Sequence, residues 1–330
     1  MKRIKLTFII SFLLLTGIKA QESTTEEFIP SGNPSVKIFT NAHSTFIDGE
    51  NKSAFDLERA YFGYNYSFSK NFSTKIILDV GDPKDGGNLQ MTAFLKNAAL
   101  IYQKDKFTTS FGLIGLYGFK VQEKHWGYRY IYKSLQDEHK FGSSADLGAS
   151  FMYKFTDLIS VDMMILNGEG YKNLQSDDTY KGALGVTISP IKNFDIRAYY
   201  DLMSTDIAQQ TIALFTGYKA DKFRAGAEYN YQINNDLDED QDLGGISVYS
   251  TVIINKKINI FGRFDNLTSS KLEGQDDPWN IIKDGQTFIL GIEYIPVKGV
   301  KIAPNFQGWS PSETDVPFET NFYLNVEISF

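Results

Sequence analysis

The last thirteen residues, Phe318 to Phe330, alternate strictly. Phe318, Thr320, Phe322, Leu324, Val326, Ile328 and Phe330 fall on one parity and are almost all apolar, whereas Glu319, Asn321, Tyr323, Asn325, Glu327 and Ser329 fall on the other. Successive side chains of a strand point to opposite faces, so this segment has one oily face and one wet face along its whole length. A strand tilted in a bilayer needs about 9 to 11 residues to cross it. Thirteen alternating residues therefore suit a transmembrane barrel, with the oily face on lipid and the wet face on a lumen. Copies of this strand should make up the rest of the chain.

The first twenty residues are set apart by their chemistry. Lys2, Arg3 and Lys5 precede an apolar run from Leu6 to Leu15, and Gly17-Ile18-Lys19-Ala20 leads into Gln21. This is the pattern of a secretory signal peptide, residues 1–20, cut after Ala20. Removing it takes away four basic residues and no acidic one, so the formal charge falls from −7 to −11. An acidic exported chain excludes a nucleic-acid partner, which would need a basic stripe. The chain has no cysteine, so neither disulfides nor thiolate metal sites support the fold. Residues 21–34 are polar and carry two prolines, and are expected to be a flexible lead-in to a barrel over residues 35–330.

Seven short polar turns recur from there, at 68–72, 102–107, 155–159, 189–194, 218–223, 254–258 and 295–300. Seven turns joining pairs of strands, plus a first and a last strand, predict sixteen antiparallel strands, an even number as single-chain bacterial barrels have. Between them lie connections rich in Asp, Gly, Asn and Pro, near 48–54, 83–90, 116–142, 169–178, 204–209, 234–243, 269–283 and 310–316. Short periplasmic turns and long extracellular loops orient the barrel. The alternation sends Phe72, Ile76, Leu78, Ile196, Tyr200 and Tyr229 to lipid, while Lys75, Asp79, Arg197, Asp201, Arg224 and Glu228 go inside. A barrel of this width encloses an aqueous channel, so function resides on its wall and in whatever narrows it.

Strand count, loop order and the terminal Phe330 resemble the sixteen-stranded bacterial porins, whose third loop folds inward. Leu57-Glu58-Arg59-Ala60-Tyr61-Phe62-Gly63-Tyr64 and Trp126-Gly127-Tyr128-Arg129-Tyr130 resemble porins of Bacteroidota related to the phosphate-selective O/P group. The resemblance implies placement in a Gram-negative outer membrane among lipid and lipopolysaccharide. It also implies recognition of Phe330 by the barrel-assembly machinery, a homotrimer, and small hydrophilic solutes as cargo, without a cofactor. Here the third loop is residues 116–142, the longest connection, and Lys120, Lys124, His125, Trp126, Arg129 and Lys133 are the candidate constriction residues. Arg59, Lys75, Lys181, Arg197, Asp201, Arg224, Glu228, Arg263 and Asp265 are the candidate lumen wall. Acids and bases on the wall roughly balance, which departs from a dedicated anion channel and points to passive diffusion of small polar solutes and ions. A channel selective for phosphate, other anions or sugars is the alternative.

Two further chemistries bear on the reading. Asp236, Asp238 and Asp240 match the first ligands of a calcium loop, but Gln241 stands where its turn wants glycine and no Glu occupies the twelfth position. His43, His125 and His139 are the only histidines, and no serine or zinc motif accompanies them. The chain is therefore expected not to be an enzyme; a plugged structural or adhesive barrel and an outer-membrane hydrolase are the readings of another class.

Overall fold

A computed structural model describes residues 28–81, 90–175 and 178–330. The expected signal peptide, residues 1–20, and most of the 83–90 connection lie outside these residues. Sixteen strands follow one another around a closed antiparallel barrel: β1 (Ser31–Ile47), β2 (Glu50–Ser67), β3 (Phe72–Gly81), β4 (Thr92–Lys104), β5 (Phe107–Gly115), β6 (Ala145–Lys154), β7 (Ile159–Leu166) and β8 (Lys181–Ile191) form the first half. The second half comprises β9 (Phe194–Ser204), β10 (Ala208–Lys219), β11 (Phe223–Ile233), β12 (Leu243–Ile253), β13 (Ile258–Ser269), β14 (Gly285–Val297), β15 (Val300–Pro311) and β16 (Glu319–Ser329). β1 closes against β16, from Lys37 opposite Ser329 to Phe46 opposite Thr320. Val36 and Phe330 complete the seam by exchanging backbone hydrogen bonds of 2.8 and 3.1 Å.

All seven short turns stand at one end, where the polar interruptions place them. At the other end two connections are shorter than the sequence suggests. Asp48-Gly49 alone joins β1 to β2, with both residues at positive φ, and residues 205–207 join β9 to β10. There the polar residues continue the ladder, Thr45 pairing with Lys52 and Phe46 with Asn51, because the ladder is made by backbone N–H and C=O groups whatever the side chains. Residues 31–34, read as part of the flexible lead-in, likewise belong to β1: Ser31 pairs with Ser67 and Pro34 with Tyr64. Pro34 lacks a ladder donor, which is tolerated near a strand start.

Burial is inverted relative to a soluble domain. Leu290, Phe111, Ile165 and Met163 are more than half exposed on the outer surface, whereas Trp126, Tyr128, Leu135 and Phe261 are fully buried inside the barrel. Four register shifts interrupt the ladders, two of them beside short turns at Ile188/Ile191 and Tyr294/Val297; the other two lie opposite Phe39/Thr40, leaving Glu58 of β2 unpaired, and opposite Ile77/Leu78, leaving Lys96 of β4 unpaired. A bulge re-aims a side chain and increases the local twist. In β4 it brings a lysine onto the lumen.

Candidate functional site: a waist formed by the third loop

Residues 116–144 leave the end of β5, descend into the lumen and return to β6. Helix α1 (Lys120–Trp126) ends at Gly127, whose φ of 74° and backbone bond to Glu123 O (2.8 Å) make a left-handed cap. A side chain there would also meet the Arg224 guanidinium at 2.5 Å, so the position needs glycine twice over. A tight turn follows, with the Ile131 and Tyr132 N–H groups donating to Tyr128 O at 2.8 and 3.1 Å, and then the single turn α2 (Leu135–Glu138).

The end of α1 and the turn after it present two faces, one to the wall and one to the lumen. Trp126, Tyr128 and Tyr130 turn to the wall and are 1 to 3 % exposed, packing on Phe39, Tyr249, Phe261 and Ile289. Tyr128 lies 4.4 Å from the Phe261 ring centroid, and Trp126 contacts Tyr249 and Phe261 at 5.4 and 6.1 Å. Such pairs add about 0.5–1.5 kcal/mol each beyond their burial. The Trp126 indole N–H donates to Tyr132 O at 2.8 Å, and the Tyr130 hydroxyl donates to Glu293 Oε2 at 2.9 Å.

The wall answers with polar side chains that satisfy the loop backbone. Arg197 donates to Tyr117 O (3.0 Å), Tyr249 to Gln122 O (2.9 Å), Arg263 to Lys133 O (2.8 Å) and Gln232 to Phe141 O (2.8 Å). Arg197 is itself clamped by both oxygens of Asp162 at 2.6 and 2.9 Å, and Arg263 by Asp265. Arg263 also covers the rings of Trp126 and Tyr132, and Arg224 covers Tyr128. Buried backbone carbonyls without partners would cost free energy, so these charged groups act as anchor posts.

This geometry changes the roles expected from the sequence. Arg197, Asp201, Glu228, Arg263 and Asp265 are all lumen-side residues but are at most 5 % exposed beneath the loop, and Arg224 is half-buried there, so they do not line an open channel. His125 and Trp126 likewise turn to the wall and leave the opening. Alternation identifies the face of a strand; it does not show which sector of the wall a loop covers.

The free face of the loop carries Lys120, Glu123, Lys124, Arg129, Lys133 and Asp137. Arg129 binds Asp137 at 3.1 Å and Glu123 at 3.5 Å, and Lys133 binds Glu138 at 3.4 Å. Opposite stand β1 to β4, with Arg59 and Lys75 from the expected set and Lys37 and Lys96 from outside it. Arg59 pairs with Asp79 at 3.1 Å, and Asp79 accepts a second bond from the Tyr171 hydroxyl at 2.7 Å. Above the waist a vestibule of about 700 Å³ is lined by Arg59, Lys96, Arg129, Lys140, Lys172 and the largely buried Lys181, among others. Lys96 lies over the rings of Tyr61 and Tyr171, and Lys172 over Phe94 and Tyr171. The β4 bulge hid Lys96 from a period-two reading, and Lys172 belongs to the β7–β8 connection.

Burial, and then the neighbouring ammoniums of Lys75 and Lys124, hold Lys120 below its ordinary pKa. Burial raises the Glu123 carboxyl, opposed by Arg129, Lys96 and Lys37. These couplings place loop and wall charges across one narrow gap. Burial also holds His125 and His139 below the ordinary imidazole value. His125 bonds Asp195 Oδ2 through Nε2 at 2.9 Å, its buried Nδ1 has no partner among the described residues, and Ser189 Oγ donates to the other Asp195 oxygen at 2.6 Å. Here the carboxylate stands between Ser and His, so the imidazole cannot take the serine proton as a hydrolytic triad requires.

Asp236, Asp238 and Asp240 fall in a loop with a 3₁₀ turn at Asn235–Leu237. Asp242 ties that loop through Tyr231 and the Asn234 N–H. Among the described residues no group of three or more His, Asp or Glu side chains could hold a metal ion.

No family model matches the sequence, and no curated protein matches it. Solved structures do. OmpF of Salmonella typhi superposes with a TM-score of 0.70 at 11 % identity, covering 91 % of this chain and 97 % of that one. The outer membrane channel DcaP of Acinetobacter baumannii gives 0.68 at 12 % identity with the same coverage, and an anion-selective porin from Comamonas acidovorans gives 0.64 at 8 %, covering 92 % of this chain and 100 % of that one. At such identities the likeness establishes the architecture: this chain has the closed sixteen-stranded barrel fold of outer-membrane porins.

Proposed function

We propose that the chain is an outer-membrane pore for passive diffusion of small hydrophilic solutes, with a waist that favours anions. The observation that carries this reading is the charge balance across the gap. Glu123, Asp137 and Asp79 are bound to arginines and Glu138 to Lys133, whereas Lys37, Lys75, Lys96 and Lys120 have no carboxylate within ion-pair distance among the described residues. An acidic protein thus has a cationic waist. Two unit charges about 7 Å apart in water interact by about 0.6 kcal/mol, so each unpaired lysine enriches anions about threefold, and more where protein walls displace water. The solute gradient drives transport, and no catalytic step is involved; the Ser189–Asp195–His125 order supports this non-enzymatic reading.

A channel selective for particular anions, as the resemblance to the phosphate-selective O/P group implies, is the second reading. It is favoured by Lys96 and Lys172, which flank the single ring of Tyr171 in the vestibule. Homotrimeric assembly is part of the same proposal.

The test is the reversal potential of single channels in a planar bilayer under a KCl gradient, before and after Lys96→Glu with Lys172→Glu. Chloride preference that weakens or inverts in the double variant is expected. Silence from folded protein refutes the pore, and cation preference in the wild type refutes the anion waist. Block of the current by phosphate at concentrations that leave chloride flux measurable would favour the selective channel.

A further inference from the structure

The short-turn end of the barrel has a chemistry that the pore does not use. Lys70, Lys106, Lys192, Lys222, Lys256 and Lys298 stand one in each of six of the seven short turns, and all are exposed. None pairs with a carboxylate among the described residues; Lys106 donates to Phe155 O. The seventh turn is flanked by Lys154, which Asp157 binds at 2.8 Å. Lys104 and Lys257 add to two of the turns, and Asp105, Asp157 and Asp221 are the acids there. The opposite end is acidic, with Asp206, Asp238, Glu239, Asp240, Asp276 and Asp277 in its loops. The molecule is polarised along its axis, against its overall negative charge.

The lysines also sit at a particular height. Within two residues of them the lipid-facing surface ends in large side chains, Phe68 and Phe72 beside Lys70, Phe223 beside Lys222, Ile254 beside Lys256 and Val297 beside Lys298, each more than two fifths exposed. Aromatic and aliphatic groups at the edge of the hydrocarbon, followed by long basic side chains, are what the headgroup layer accepts. A soluble partner would need one patch or the pore mouth; these charges encircle the barrel, and a bilayer leaflet is the surface that touches the whole circumference at once.

We infer that the short-turn rim is a lysine collar that binds the headgroups of anionic phospholipids in the periplasmic leaflet. This rests on the proposed orientation in the outer membrane, with short turns on the periplasmic side. The collar recruits phosphatidylglycerol-type lipids around the barrel and sets its depth in the bilayer. Its attraction is electrostatic and weakens with salt over the Debye length.

The test uses the full exported chain, folded in nanodiscs of equal phosphatidylglycerol and phosphatidylcholine and then extracted in mild detergent, with retained lipid identified by native mass spectrometry. Phosphatidylglycerol should be retained at least tenfold over phosphatidylcholine at low salt, and the preference should collapse at high salt. Changing the six lysines together to Gln should remove it, and changing them to Arg should keep it. Retention in the bulk lipid ratio by the wild type overturns the collar without needing any variant, as does preference surviving in the Gln variant. Lysine-dependent pelleting with isolated peptidoglycan, without lipid preference, would assign the rim to the cell wall and overturn the lipid reading. Conductance of the same preparations is scored separately, so that loss of the pore reading and loss of the collar are distinguishable.

Discussion

Trp126 is the side chain on which the seat of the third loop most depends, and its removal is the sharpest test of that architecture. Trp126→Ala deletes a 1 % exposed indole, its bond to Tyr132 O, its contacts with Tyr128, Tyr249 and Phe261, and the ring beneath Arg263. Large aromatic deletions in a packed interior cost about 3–5 kcal/mol, and the bond and cation–ring contact lie largely within that range because neighbouring effects do not add. The barrel ladder is untouched, so the loss falls on the seated loop. At about 1.4 kcal/mol per decade, a loss of about 4 kcal/mol raises the unseated fraction about a thousandfold. Lys120, Lys124, Arg129, Lys133 and Lys140 make the loop a trypsin substrate once it lifts. When opening is fast relative to cleavage, the nicking rate tracks that fraction. Nicking between residues 120 and 140 should therefore accelerate by two to three decades, while the heat-dependent gel mobility of the barrel is retained and single-channel current becomes larger and noisier. An acceleration below tenfold with unchanged conductance would mean that the aromatic seat does not hold the loop.

Two further perturbations bear on the same architecture. Burial holds His125 and His139 below the ordinary value near 6.5, so the loop binds fewer protons seated than released; its stability is full above about pH 6.5 and declines as pH falls from there toward the lowered values. Current flicker in the wild type should rise between pH 7 and pH 5, and His125→Gln with His139→Gln should flatten the dependence; an unchanged pH profile in the double variant would assign it to other groups. Arg197→Met alone strands the buried Asp162 carboxylate and removes the bond to Tyr117 O, a loss of about 3–5 kcal/mol that should lower the temperature of the gel-mobility shift. Adding Asp162→Asn should recover much of it, and a double variant no better than the single one would show that the loop bond, not the ion pair, dominates.

Strand positions and short turns were legible because each strand writes its own two-residue period and each turn interrupts it. The inward third loop was legible only by its length and charge. Which wall charges it would cover was not, because Arg197 and Arg263 as anchors, and Lys75 as an open charge, obey the same alternation; the difference lies in contacts with residues far away in sequence. Lys96 escaped because the bulge that delivers it to the lumen also breaks the pattern by which lumen residues are recognised. Polar residues at 48–54 mimic a loop because the hairpin there runs past the level at which alternation between oil and water has a cause.

The seam between β1 and β16 has a kinetic consequence. In an open sheet the outermost strands peel first, because each is held along one side alone. Here every strand is hydrogen-bonded along both sides, so opening must break two ladders at once and leaves two raw backbone edges whose buried donors and acceptors have lost their partners. The barrier to losing the first strand is therefore close to the barrier for losing them all. The persistence of such a molecule is governed by how rarely that first opening occurs, a lifetime more than an equilibrium.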